Sequence, residues 1–143
     1  MTMFIWLSFR TFKVLICLTL VGCTSTRPLQ PITDPNNLSG SWVLETVNGR
    51  PPKTVNIASW RISFATNRHW TFGGEMAGRF QGMQINGSGS WDIESGILQW
   101  VAENRKGQSK ATIQGAILTL SPDPVITPGG KSPAVTTYRR VGK

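Results

Sequence analysis

The feature that most constrains the fold is a period-two alternation of apolar residues, cut at short intervals by turn residues. Trp42, Leu44 and Thr46 alternate with Val43, Glu45 and Val47, and Trp60, Ile62 and Phe64 alternate with Arg61 and Ser63. Trp70 and Phe72 alternate with His69 and Thr71, and Trp91 and Ile93 with Asp92 and Glu94. Successive side chains on a strand point to opposite faces, whereas an amphipathic helix needs a 3.6-residue period, so these runs predict half-buried strands. Leu98, Trp100 and Ala102, then Ala111 and Ile113, then Leu118 and Leu120, continue the series, and AVTTYRRV closes the chain. Asn48-Gly49, Thr66-Asn67, Gly73-Gly74, Asn86-Gly87, Ser95-Gly96, Arg105-Lys106-Gly107 and Gly115 punctuate it, and Arg79 to Ile85 reads as a weaker strand. The expectation is eight or nine short strands with tight turns and no helix in the domain.

Strands at near-regular spacing form a meander, closed as a barrel or stacked as a sandwich. A Greek-key sandwich needs long crossings, and only the Pro/Gly loop from Ser121 to Pro133 offers one. An eight-stranded barrel removes exposed edges and leaves an interior just wide enough for side chains or one small ligand. The fold class expected is therefore all-β, an antiparallel up-and-down β-barrel of about eight strands.

The N-terminus reads as an address. Arg10 and Lys13 form a basic flank, Val14 to Val21 a short apolar core, and Gly22 a small residue before Cys23. This is the order of a secretory signal, and its apolar run is far below the ~20 residues of a spanning helix. The string LVGC, Leu20 to Cys23, resembles the lipobox of bacterial lipoproteins. That resemblance implies a diacylated Cys23 at the mature N-terminus, and Thr24 in place of an Asp implies the outer membrane, facing the periplasm. Cys17 falls in the removed segment, so the domain has no Cys for a disulfide, a thiolate metal site or a nucleophile. Thr24 to Asn37, TSTRPLQPITDPNN, reads as an extended spacer, although Leu29 and Ile32 could pack on the domain. The chain thus divides into a signal at 1–22, Cys23 with a linker to 37, and a barrel domain at 38–143.

The opening LSGSW, Leu38 to Trp42, resembles the Gly-x-Trp start of lipocalin and avidin barrels. The continuation through Arg50-Pro51 and the ending at Leu118–Leu120 and Tyr138–Arg140 are similar to small bacterial lipocalin-like domains. The resemblance implies that Trp42 plugs the closed end under a late-strand Arg. Arg140 is the first choice because it shares a face with Tyr138, and Arg139 is the second. A guanidinium over an indole contributes ~0.5–2 kcal/mol, so the pair is structural.

Candidate chemistry is sparse. Asp92 and Glu94 share a strand face, which suits acid–base work, but Trp91 and Ile93 claim the interior. His69, the one His, faces opposite Trp70 and Phe72 and lacks a second His or Cys to hold a metal. Gly87-Ser-Gly-Ser-Trp91 has the wrong spacing for a nucleophile elbow. No catalytic residue, cofactor or metal is expected. Trp60, Trp70, Phe72, Trp91 and Trp100 are the candidate pocket lining, either as an aromatic wall for a small apolar ligand or as filler of a narrow barrel. Losing Arg10 and Lys13 takes the basic count from 15 to 13 against 7 acids, a balance of +6. Arg61, Arg68 and Arg79 interleave with Trp60, Trp70 and Phe80, but a nucleic-acid partner fits an envelope lipoprotein poorly. The function expected is a lipid-anchored periplasmic binding module for a small apolar ligand. The alternative is a lipoprotein that docks an envelope protein partner.

Overall fold

A computed structural model describes residues 28–127 and 133–142. The signal, Cys23 and the first part of the spacer lie outside the described residues. The chain order is β1 (Gln30–Pro31), α1 (Pro35–Leu38), β2 (Gly40–Val47), β3 (Ile57–Phe64), β4 (His69–Met76) and β5 (Gln84–Glu94). β6 (Ile97–Ala102), β7 (Arg105–Gln114), β8 (Ile117–Ser121) and β9 (Thr136–Val141) follow. Each strand from β2 to β9 pairs antiparallel with the next, and β9 returns to β2, so eight strands close an up-and-down barrel. Single helical turns occur at α1, Pro52–Val55 and Gly78–Phe80.

The turns explain the closure. Asn48 and Gly49 both hold positive φ, at 51° and 74°, and Val47 and Arg50 exchange backbone bonds of 2.9 and 3.0 Å. That is the mirror-image turn whose twist matches a hairpin. Ser95-Gly96 repeats it between β5 and β6, with φ of 49° and 80°. Elsewhere the punctuation misleads. Gly73-Gly74 lies within β4, Asn86-Gly87 within β5, and Arg105 to Gly107 open β7. The weak strand expected from Arg79 begins only at Gln84, and Gly78–Phe80 belongs to a loop.

The ordered domain also starts before Leu38, which corrects the linker boundary at 37. β1 pairs with β7 at Gln30↔Ile113 and Pro31↔Thr112, beyond the end of β6. Ile32 donates to the Ala111 carbonyl and accepts from Gly96, and its side chain is buried. Asp34 then caps α1 through Asn36 N, and α1 places Leu38 in the core. Ile32 within the Pro-rich stretch and Leu38 just after it thus set this segment as a plug across one barrel end, while Leu29 stays exposed.

Trp42 sits under this plug, fully buried, and its indole N–H donates to the Leu38 carbonyl at 2.9 Å. It pairs with Arg140 across β2 and β9, and the Arg140 guanidinium lies 4.3 Å from its ring centroid. Arg140 also donates to the Ser39 and Asn37 carbonyls at the end of α1. Arg139, the second choice, faces out and pairs with Glu45.

Candidate functional site

The interior is filled by one repeated device. Trp60 faces Gly74 on the next strand, Trp70 faces Gly89, Phe72 faces Gly87 and Trp100 faces Gly107. A β-carbon on Gly87 would stand 2.2 Å from the Phe72 ring, and one on Gly107 would stand 2.5 Å from Trp100. Each aromatic ring therefore lies over the glycine opposite it, where any side chain would collide. Over Gly89 the Trp70 indole crosses a whole strand to donate to the Val101 carbonyl at 3.1 Å. This explains Asn86-Gly87-Ser88-Gly89: its glycines are sockets for rings, not turns.

Trp60, Phe72, Trp70, Phe64 and Trp91 form a continuous series of rings down the barrel, with successive centroids 6.0, 5.1, 5.9 and 5.4 Å apart. Arg68 ends it, 4.9 Å over Trp91 and 3.0 Å from Asp92. Gly87→Ala is expected to destabilise by ~1–3 kcal/mol, the usual cost of overpacking. Phe72→Leu added to it should recover part of that loss, a coupling of at least ~0.5 kcal/mol in a denaturant double-mutant cycle. Strict additivity would remove the socket interpretation.

The five candidate lining residues consequently do not share one pocket. A cavity of about 480 Å³ opens at the end opposite the plug, and of the five only Trp60 lines it. Val55, Ile57, Met76, Phe80, Ile85, Val125 and Ile126 supply its apolar wall, and Asn56, Arg79, Arg105 and Thr127 its polar rim. Trp91 and Trp100 border a separate depression beside Asp92, Gln99 and Lys106, and Phe72 borders a shallow one beside Arg61 and Asn86. Trp70 is packed between Phe64 and Phe72. A barrel this narrow has room for rings through its depth and for a ligand only at its mouth.

Local geometry builds the mouth from three segments. The Pro52–Val55 turn follows the first hairpin and ends at Asn56, which has a left-handed φ of 62°. The β4–β5 loop docks on it, because Ala77 N donates to the Asn56 carbonyl at 2.8 Å. A β-carbon on Gly78 would stand 2.5 Å from Asn56 Oδ1, so this close approach requires glycine. The docked loop carries Arg79, whose guanidinium rests 4.7 Å over the Phe80 ring. The third segment is the stretch between β8 and β9.

That third segment is held by a residue the sequence did not single out. Asp123 is 6% exposed and accepts four hydrogen bonds. Its Oδ1 takes the backbone N–H of Val125 at 2.8 Å and of Ile126 at 2.6 Å. Its Oδ2 takes the hydroxyls of Thr136 at 2.7 Å and Tyr138 at 2.5 Å, both on β9. Burial pushes the Asp123 carboxyl above the ordinary carboxylate value, against the opposing effect of these donors. Burial and the neighbouring Asp123 charge push the Tyr138 hydroxyl well above its ordinary value. The Trp60 N–H favours the ionised form of Tyr138 but closes no hydrogen bond, although Trp60 is only 5% exposed. Asp123 therefore sets Val125 and Ile126 against the cavity.

The remaining candidates lie elsewhere. His69, Asp92 and Glu94 are exposed on the outer face. Trp42 and Arg140 close the opposite end of the barrel, so the opening Gly-x-Trp takes no part in the mouth. Compared with known proteins, the chain matches no family model, no curated protein and no solved structure.

Proposed function

We propose that this chain is a lipid-anchored binding module of the bacterial envelope, a lipocalin-like barrel that holds a small apolar ligand in its mouth. The observation that carries the reading is the cavity of about 480 Å³, walled by apolar side chains and floored by Trp60. Its size falls within the ~300–1,000 Å³ range of small-molecule sites, and an apolar wall with few polar groups is their usual composition. The LVGC string supports acylation at Cys23 and placement at the outer membrane, facing the periplasm. No catalytic step is assigned to the barrel.

Native mass spectrometry against a panel of neutral and charged amphiphiles tests the binding role. One-to-one adducts weakened by Ile126→Trp, which fills the cavity from its wall, are the expected result. Adducts unaffected by that substitution would place binding elsewhere. Labelled palmitate should be incorporated by the parent and lost in Cys23→Ala.

A second reading has its own observation. Phe80 and Met83 are 41% and 46% exposed on the loop beside the mouth, an apolar pair suited to docking an envelope protein. Met83→Ser, which leaves the cavity lining untouched, separates the two readings. It should abolish partner crosslinking in intact cells under the docking reading and leave ligand adducts intact under the binding reading.

A further inference from the structure

We propose that the mouth cavity selects an amphipathic anion, with an apolar body against Trp60 and Ile126 and its charged head between Arg79 and Arg105. The inference rests on the binding reading above and names the ligand class. Arg79 comes from the β4–β5 loop and Arg105 from the start of β7, so two different segments deliver a guanidinium to one cavity rim. Among the described residues no acidic side chain lines that cavity and neither arginine has a salt-bridge partner. Arg68 with Asp92 and Arg139 with Glu45 are ion pairs elsewhere on the barrel, but Arg50, Lys53, Arg61, Lys106 and Lys110 also stand without one among the described residues, so what marks Arg79 and Arg105 is that both line one cavity.

The nearby carboxylate does not serve them. Asp123 is saturated by four donors and buried behind the Val125–Ile126 segment. Two like charges at a partly apolar rim favour an anion that neutralises both, and a guanidinium presents paired donors to a carboxylate or phosphate. The other polar groups on the cavity are compatible. The Asn56 side chain can donate as well as accept, and Thr127 adds a hydroxyl. An anion is further favoured over a cation by a chain balance of +8. Neutral apolar molecules would leave the rim charges uncompensated, and ammonium amphiphiles would add a third positive charge.

The experiment uses the full chain with Cys23→Ser, which blocks acylation, and four ten-carbon probes below their micelle concentrations. These are decanoate, decyl phosphate, decanol and decyltrimethylammonium, titrated calorimetrically at low salt. The expected result is that both anions bind at least tenfold more tightly than decanol, and the ammonium probe more weakly than decanol. Arg79→Gln with Arg105→Gln should erase that preference while decanol affinity stays within about twofold. Both arginines are exposed, so the double variant keeps the core intact. Which anion binds more tightly distinguishes a carboxylate head from a phosphate head. Equal affinity for decanol and decanoate, or a preference that survives the double substitution, overturns the inference and leaves the binding module standing. Failure of all four probes to bind removes the binding reading, and the inference with it.

Discussion

Asp123→Ala should lower stability by at least ~3 kcal/mol, because two hydroxyls and two backbone N–H groups lose their shared acceptor at once. In a domain of this size that corresponds to a fall in Tm of more than ~10 °C. Asp123→Asn should behave differently. Its amide oxygen can still accept from Val125 and Ile126, and its NH₂ can donate to the Thr136 and Tyr138 hydroxyls, which rotate to accept. The Asn variant also removes a buried charge that has no cation beside it. At neutral pH it should therefore match or exceed the parent in stability, while the Ala variant loses stability and the Val125–Ile126 wall of the cavity. Thermal melts of the three proteins check the ordering. An Ala variant within ~0.5 kcal/mol of the parent would remove Asp123 as the anchor of the loop.

The same group makes a signed pH prediction. Burial raises the folded-state pKa of Asp123 above its ordinary value of 3.8, so between 3.8 and the raised value the native state binds more protons than the unfolded state. The contribution of this group to stability is complete below about 3.8 and is lost as pH rises through the folded value. Acidifying from neutrality should therefore stabilise the parent relative to Asp123→Asn, whose side chain does not titrate. The difference between their unfolding free energies, measured in urea at several pH values, isolates this group from the other carboxylates. A difference that is flat with pH would show that Asp123 does not hold its proton longer in the fold.

Much of the fold was legible because two local rules acted without competition. Period-two alternation placed Trp42, Trp60, Trp70, Trp91 and Trp100 inward; the first four are buried and Trp100 is half-buried. Asn48-Gly49 and Ser95-Gly96 were read as turns, and the positive φ at all four residues is the physical content of that reading. The misread turns have one origin. Glycine marks a turn when the backbone needs a positive φ, but it also marks a place where a partner strand lays a large side chain. Gly87, Gly89 and Gly107 do the second, because Phe72, Trp70 and Trp100 lie over them. Sequence separates the two uses only once strand register is known, since the ring and its glycine come from different strands.

Register also hid the site. All five candidate lining residues have aromatic side chains, but which one meets the mouth depends on its height along the barrel. Trp60 stands opposite Gly74 near the open end, whereas Trp91 stands near the plug. Asp123 gave no periodic signal, because it lies in SPDPV, the start of the stretch from Ser121 to Pro133 read as a Pro/Gly loop. A usable clue was the inward Tyr138: a phenol on a buried face needs a hydrogen-bond partner, and an Asx-type turn residue just upstream of the same strand can supply one.

Trp42→Ala should be the most damaging single change at the closed end, costing ~3–5 kcal/mol from lost burial and the cavity left behind. That is a large part of the ~5–15 kcal/mol by which a domain is stable, so much of the variant should be unfolded at physiological temperature. More than packing is lost. The Leu38 carbonyl loses the indole donor, and Arg140 loses the ring under its guanidinium, leaving the plug attached through the Arg140 bonds to Ser39 and Asn37 and the β1–β7 pairing. Trp42→Phe keeps a ring but no donor, and should cost less. Adding Arg140→Leu to each variant separates the contributions. The further loss should be smaller in the Ala background than in the parent, because the ring–guanidinium contact is already gone there. Hydrogen exchange of the Ile32 amide, which donates to Ala111, reports the plug directly and should accelerate in Trp42→Ala under conditions where the barrel stays folded. Exchange at Ile32 that changes only together with the global unfolding rate would mean that plug and barrel form one cooperative unit, with Trp42 acting through the core alone.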